Sequence, residues 1–288
     1  MSAAAPRFDR SAEDLGNIVL LEHVNFRQND QRLATLFYVA GLGLTRDPYM
    51  HVSDANMWVN CGRQQFHLPT GDPQRLRGVV GVVLQDAGAV LERLAAVRTK
   101  LAGTRFSFER AGDHIAATCP WGNRFRIHSP SERFGGMRLG IAYVELAVPH
   151  GTAAGIARFY ETLLLAPARV ERDGAGESAQ VRAGANQRLV FRESRDAVPP
   201  YDGHHVAVYI ANFSGPHAAL AERGLVSEES DPWQYRFARL VDPDSGAVLF
   251  ELEHEVRSLT HPLFARPLVN RNPAQSQRDY APGRDSFW

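Results

Sequence analysis

The amino-acid sequence predicts an α+β protein built from four copies of one βαβββ module, paired into two tandem domains with concave sheets. Three observations predict it. Four apolar runs of strand length recur along the chain: Leu20–Phe26, Val79–Leu84, Ile141–Val148 and Val206–Ile210. Each is followed by a residue able to cap a helix (Asp30, Asp86, Thr152, Asn212) and then by apolar residues at helical spacing. After each helix come two or three short runs separated by turn residues, which read as antiparallel strands covered by the helix.

In the first module the helix carries Leu33, Leu36, Phe37 and Ala40 and stops at Gly41; Met57–Asn60 and Gln65–Leu68 follow as strands. The second has Val90, Leu91, Leu94 and Val97 on its helix, then Arg105–Phe108, Ile115–Thr118 and Arg124–His128. The third places Ile156, Phe159, Tyr160 and Leu163 on one helical face. The fourth has a shorter helix around Ala218–Ala221, ending at Gly224, then Tyr235–Leu240 and Val248–Leu252. Pairing in chain order gives an N-terminal domain at 18–130 and a C-terminal domain at 138–255, joined by the polar Ser129–Met137. Residues 256–288, rich in proline and arginine, read as an arm without regular structure, a surface tail in the first place and a lid or a dimer strap as the functional alternative.

Composition narrows the function classes. Lys+Arg and Asp+Glu both total 32, so no excess positive charge points to nucleic acid or an anionic membrane. Cys61 and Cys119 are the only cysteines, which excludes a disulfide framework. No run approaches the ~20 apolar residues that span a bilayer, and the first residues lack the apolar core of a secretion signal. A cytoplasmic protein with a small-molecule partner is the expectation. Edge strands and the C-terminal arm suggest a homodimer.

The residue seven before each helix cap is His23, Val79, Glu145 or His205, in module order. The last strands offer His67, Arg126, an apolar pair (Leu189, Val190), and Glu251 or Glu253. Within the N-terminal half, His23 and His67 would share their sheet with Arg126, a permanent cation that repels a metal. They read as core or relic-pocket histidines. The C-terminal half offers Glu145, His205 and Glu251, an oxygen- and nitrogen-donor set with one side open, suited to a divalent metal. Tyr209 is the tyrosine expected to contact ligand.

These segments resemble the vicinal oxygen chelate superfamily, which includes glyoxalase I, methylmalonyl-CoA epimerase, fosfomycin-resistance proteins and extradiol dioxygenases. The carriers are EHVNF…LATLFYVAGLGL at 22–44, VELAVPH…GIARFYETLLL at 144–165, GHHVAVYI at 203–210 and DPDSGAVLFEL at 242–252. Four modules in one chain look most like the type I extradiol dioxygenases. That resemblance implies a metal-free N-terminal pair and a metal, Fe(II) or Mn(II), held by Glu145, His205 and Glu251. It implies an oxidoreductase using O2 on a catechol-like or other vicinal-dioxygen molecule. Glu145 stands where the family has His, which makes the site more anionic and opens a non-oxidative isomerase, epimerase or lyase reading with Glu145 as base. A binding protein without catalysis is the third reading. His204 is the neighbouring candidate for acid–base work, although strand alternation turns it to the opposite face from His205.

Overall fold

The computed structural model describes residue 8 and residues 10–49 and 55–266. Module one comprises β1 (Ile18–Asn25), α1 (Gln31–Ala34, continued by a π-helical stretch at Thr35–Gly41), β2 (Thr45–Arg46), β3 (Asn56–Cys61) and β4 (Gln64–Pro69). Module two comprises β5 (Gly78–Val83), α2 (Ala87–Val97), β6 (Ser107–Ala111), β7 (His114–Thr118) and β8 (Arg124–His128). Module three comprises β9 (Gly140–Pro149), α3 (Ala153–Leu163), β10 (Ala168–Asp173), β11 (Gly176–Arg182) and β12 (Arg188–Ser194). Module four comprises β13 (His205–Ile210), α4 (Ser214–Glu222), β14 (Val226–Asp231), β15 (Gln234–Val241) and β16 (Val248–Ser258). The four βαβββ units are those expected.

Most helix starts follow the predicted caps. The Asp30 carboxylate accepts from the backbone N–H groups of Arg32 and Leu33, and Asp86 accepts from Ala89. Asn212 Oδ1 accepts from Gly215 N at 3.1 Å. Thr152 does not cap: its hydroxyl donates to the Pro149 carbonyl, and the Glu193 carboxylate accepts from Ala153 N at 2.9 Å instead. A carboxylate brought across from β12 thus serves the positive end of α3.

The pairing of modules departs from chain order. One eight-stranded sheet runs β14-β15-β16-β13-β1-β4-β3-β2, and the other β10-β11-β12-β9-β5-β8-β7-β6. Module one therefore shares a sheet with module four, and module two with module three, each pair joined through antiparallel first strands. The segments 18–130 and 138–255 each contribute half of both sheets, and neither forms a sheet of its own. Periodicity specifies which residues are strands. It does not specify which apolar first strand accepts which partner, because all four look alike.

Helices α1 and α3 lie between the two sheets. Tyr38 packs on Phe66 of β4 while Phe37 packs on Phe125 of β8, with ring centroids 5.3 and 5.4 Å apart. Likewise Phe159 meets Phe237 of β15 and Tyr160 meets Phe191 of β12. These rings are fully buried and make the core. Gln187 ties the sheets together: its amide donates to the carbonyls of Leu21 and Ile141 and accepts from Leu21 N.

Strand β16 is longer than its sequence signal, running on to Ser258. Residues 259–266 then cross from module four towards module one. Phe264 packs on Tyr209 at 4.9 Å, and Arg266 pairs with the buried Asp47 and lies over the Tyr49 ring. The remainder of the predicted arm lies outside the described residues.

Candidate metal centre

The first sheet has a local two-fold between modules one and four. On β1, His23 pairs in register with Gln65 of β4, and His67 lies two residues further. On β13, His205 pairs with Glu253 of β16, and Glu255 lies two residues further. Residues two apart on a strand point to one face, so His23, His67, His205 and Glu255 occupy equivalent corners.

Three imidazoles meet there. His23, His67 and His205 each offer one ring nitrogen within 4.8 Å of the other two. His23 Nε2 and His205 Nε2 are 3.4 Å apart. Two nitrogens bound at about 2.1 Å to one tetrahedral ion are about 3.4 Å apart. Each ring has a partner behind it. His23 Nδ1 meets the Glu22 carboxylate, His67 Nδ1 is 2.7 Å from the Asn25 amide, and His205 Nδ1 is 3.4 Å from Glu253 Oε1. The carboxylates accepting Nδ1–H leave a lone pair on Nε2 of His23 and of His205, the arrangement that orients histidine for a metal, whereas at His67 the Asn25 Nδ2 donates to Nδ1. His67 Nε2 is buried with no hydrogen-bond partner. The donor chemistry and this orphaned nitrogen fit a divalent metal.

The electrostatics support the same fit. Burial, then the neighbouring imidazoles, hold His67 and His205 well below the usual histidine pKa, so both are neutral and able to ligate at neutral pH. Glu255 Oε2 lies 3.7 Å from His205 Nε2. Burial opposes its charge, but Arg257, His23 and Arg236 outweigh burial and hold Glu255 well below the usual carboxylate range. Arg257 also reaches Glu22 at 3.3 Å, and Arg236 bonds Glu253 as well as Glu255. Three carboxylates (Glu22, Glu253, Glu255) face two guanidinium groups (Arg236, Arg257), a surplus of one negative charge beside the three rings. Around the cluster, Trp58 stacks on His67 at 3.9 Å, and the Tyr209 hydroxyl is 3.5 Å from Arg257 Nη1.

The structure does not bring together Glu145, His205 and Glu251. Glu145 lies on β9 in the second sheet, 3.2 Å from Arg126 and 4.0 Å from Arg192. The equivalent corners of that sheet are Val79, Arg126, Glu145 and Arg192, with no imidazole among them. Arg126, the cation expected beside His23 and His67, is thus in the other sheet, and the repulsion it implied is absent. Glu251 is exposed, four residues short of the corner at Glu255; its backbone carbonyl accepts from Arg77. His204 is buried, with Nδ1 2.6 Å from Asp202 Oδ1, and does not join the three rings. Glu22, Asn25, Arg236, Glu255 and Arg257 escaped the sequence reading. The signal that could have found Glu255 is the continued alternation of β16 beyond Leu252.

No family model matches the sequence, and no curated protein matches it. Solved structures do. A proposed dioxygenase of Bacillus subtilis aligns over 92% of this chain and 90% of its own, with 12% identity and a TM-score of 0.56. Glyoxalase I of Zea mays aligns over 84% of this chain and 93% of its own, with 16% identity and a TM-score of 0.56. At these identities the likeness is one of fold, and the fold is the vicinal oxygen chelate fold that the sequence motifs resemble.

Proposed function

We propose that this protein is a metal-dependent enzyme acting on a small molecule with two adjacent oxygen atoms, and that its reaction is a dioxygenation using Fe(II). One observation carries the reading: three imidazoles converge, each with Nδ1 held from behind, on a sheet whose likeness includes a proposed dioxygenase. His23, His67 and His205 would hold the metal, with Glu255 beside them as the fourth donor. Imidazole-rich sites suit Fe, Zn, Co and Ni better than Mg or Mn, which moves the metal from the Mn(II) alternative towards Fe(II). Such a metal, when bound, supplies Lewis acidity to the substrate oxygens and electron exchange with O2. The chain's own residues do the rest. Glu22, Asn25 and Glu253 fix the imidazoles. Trp58 and Tyr209 would flank a small ring bound at the metal, and Phe264 packs on the Tyr209 side.

A second reading, proton transfer of the glyoxalase type, needs a carboxylate base. Glu255, clamped by Arg236 and Arg257, has too little proton affinity for that work. Glu253, 3.4 Å from His205 and partly exposed, is the residue that favours this reading.

The test is metal analysis of wild type beside His67→Ala and His205→Ala, then anaerobic Fe(II) reconstitution and oxygen uptake on a panel of catechols. Wild type should hold one equivalent of metal at this site that either variant loses. Equal metal content in all three would overturn the site. Turnover of a hemithioacetal without O2, and no oxygen uptake with any catechol, would favour the second reading.

A further inference from the structure

We propose a second divalent-metal site, independent of the first, at the β6–β8 end of the other sheet, made by Asp113, His114 and His128. The hairpin joining β6 to β7 turns through Gly112 and Asp113, with Ala111 paired to His114. Gly112 has φ +61°, a left-handed conformation that glycine adopts without strain. The tight turn puts His114 at the head of β7, directly opposite His128 on antiparallel β8. Directly opposed side chains on adjacent strands are within easy reach of one ion. The two rings are 5.4 Å apart, and Asp113, His114 and His128 each present a ligand atom within 4.8 Å of the other two.

The surroundings favour a metal over a plain hydrogen-bonded cluster. His128 Nε2 lies 2.9 Å from the Tyr143 hydroxyl, which fixes the ring and leaves Nδ1 to donate a lone pair. Phe134 packs against the His128 ring at 4.9 Å and screens it from solvent. Asp113 Oδ1 is 3.0 Å from His114 Nδ1, whereas Oδ2 is the oxygen that approaches Arg133, at 3.5 Å. Two imidazoles and one carboxylate suit Zn(II), Co(II) or Ni(II), with positions left for water or a ligand. His114 also lines a cavity of about 610 Å³ over the second sheet, together with Arg124, Arg126 and Arg192. An ion here would sit at the edge of that cavity.

The test is calorimetric titration of the chelator-stripped full chain with Co(II), followed by its visible spectrum. Wild type should bind two equivalents. His114→Gln and His128→Gln should each bind one, and His205→Ala should also bind one, with the band of the remaining site preserved. His114 is only partly buried, so its variant should fold as wild type does, checked by circular dichroism. If His114→Gln and His128→Gln bind as much Co(II) as wild type, this proposal is overturned whatever His205→Ala does. If wild type binds one equivalent that only His114→Gln or His128→Gln removes, this site stands and the three-histidine site falls.

Discussion

Glu22 Oε2 lies 3.3 Å from Arg257 Nη1 and also meets Nδ1 of His23, so one carboxylate on β1 links an imidazole of module one to a cation of module four. Burial alone would discourage its charge, but His23 and Arg257 together lower the Glu22 pKa. It orients His23 without needing to touch a metal. Glu22→Gln should keep the three imidazoles and weaken metal affinity by about 10- to 100-fold. Calorimetric titration of the stripped protein checks this; unchanged affinity would remove Glu22 from the site.

Glu145 is placed by its arginines in the second sheet. Glu145→Gln should leave the metal content of the three-histidine site at the wild-type level, while His205→Ala abolishes it. Elemental analysis of the two variants side by side decides between this placement and a site in the C-terminal half alone.

His254 is buried on the core side of β16. Its Nε2 is 2.6 Å from the Tyr160 hydroxyl, its ring stacks on Phe237 at 4.5 Å, and burial lowers its pKa to about 4. Between that value and the ordinary 6.5, the unfolded chain binds a proton that the folded one refuses. The neutral ring's contribution is therefore intact above pH 6.5 and lost as pH falls towards 4, amounting to about 3 kcal/mol at the limit. His254→Phe should flatten the fall in stability across that window. Urea unfolding of the metal-free protein from pH 7 to pH 4 measures it.

Gln187 serves three backbone groups that no solvent reaches. Gln187→Leu leaves the Leu21 amide and the carbonyls of Leu21 and Ile141 short of partners, at a cost of about 3 kcal/mol. A lowered urea midpoint at constant slope is the expected result. A change below 0.5 kcal/mol, on the order of an ordinary surface substitution, would show that the sheets do not depend on this bridge.

The modules, their order and most caps were legible because they rest on local chemistry: alternation, helical spacing and side chains that accept from free N–H groups. His23, His67 and His205 were also legible as equivalent positions. What stayed hidden was which modules share a sheet, and that choice decides everything about the site. Pairing by chain order sets His67 beside Arg126 and His205 beside Glu145. The observed pairing sets all three imidazoles together and sends Arg126 and Glu145 to the other sheet. Thr152 failed as a cap for a similar reason, since its replacement, Glu193, comes from a strand 40 residues away. Glu255 was missed because the last strand runs six residues past its apolar signal, under charged side chains that pair with one another.

The nested pairing also sets an order of events. Modules two and three are sequence neighbours and can zip together early, whereas His23 and His205 are separated by 182 positions and meet only when the outermost strands dock. During synthesis two of the three imidazoles emerge long before the third, and the third joins them only when β13 arrives. At the proposed three-histidine site a nascent chain would therefore lack the full donor set partway. An ion at that site would enter only the finished molecule.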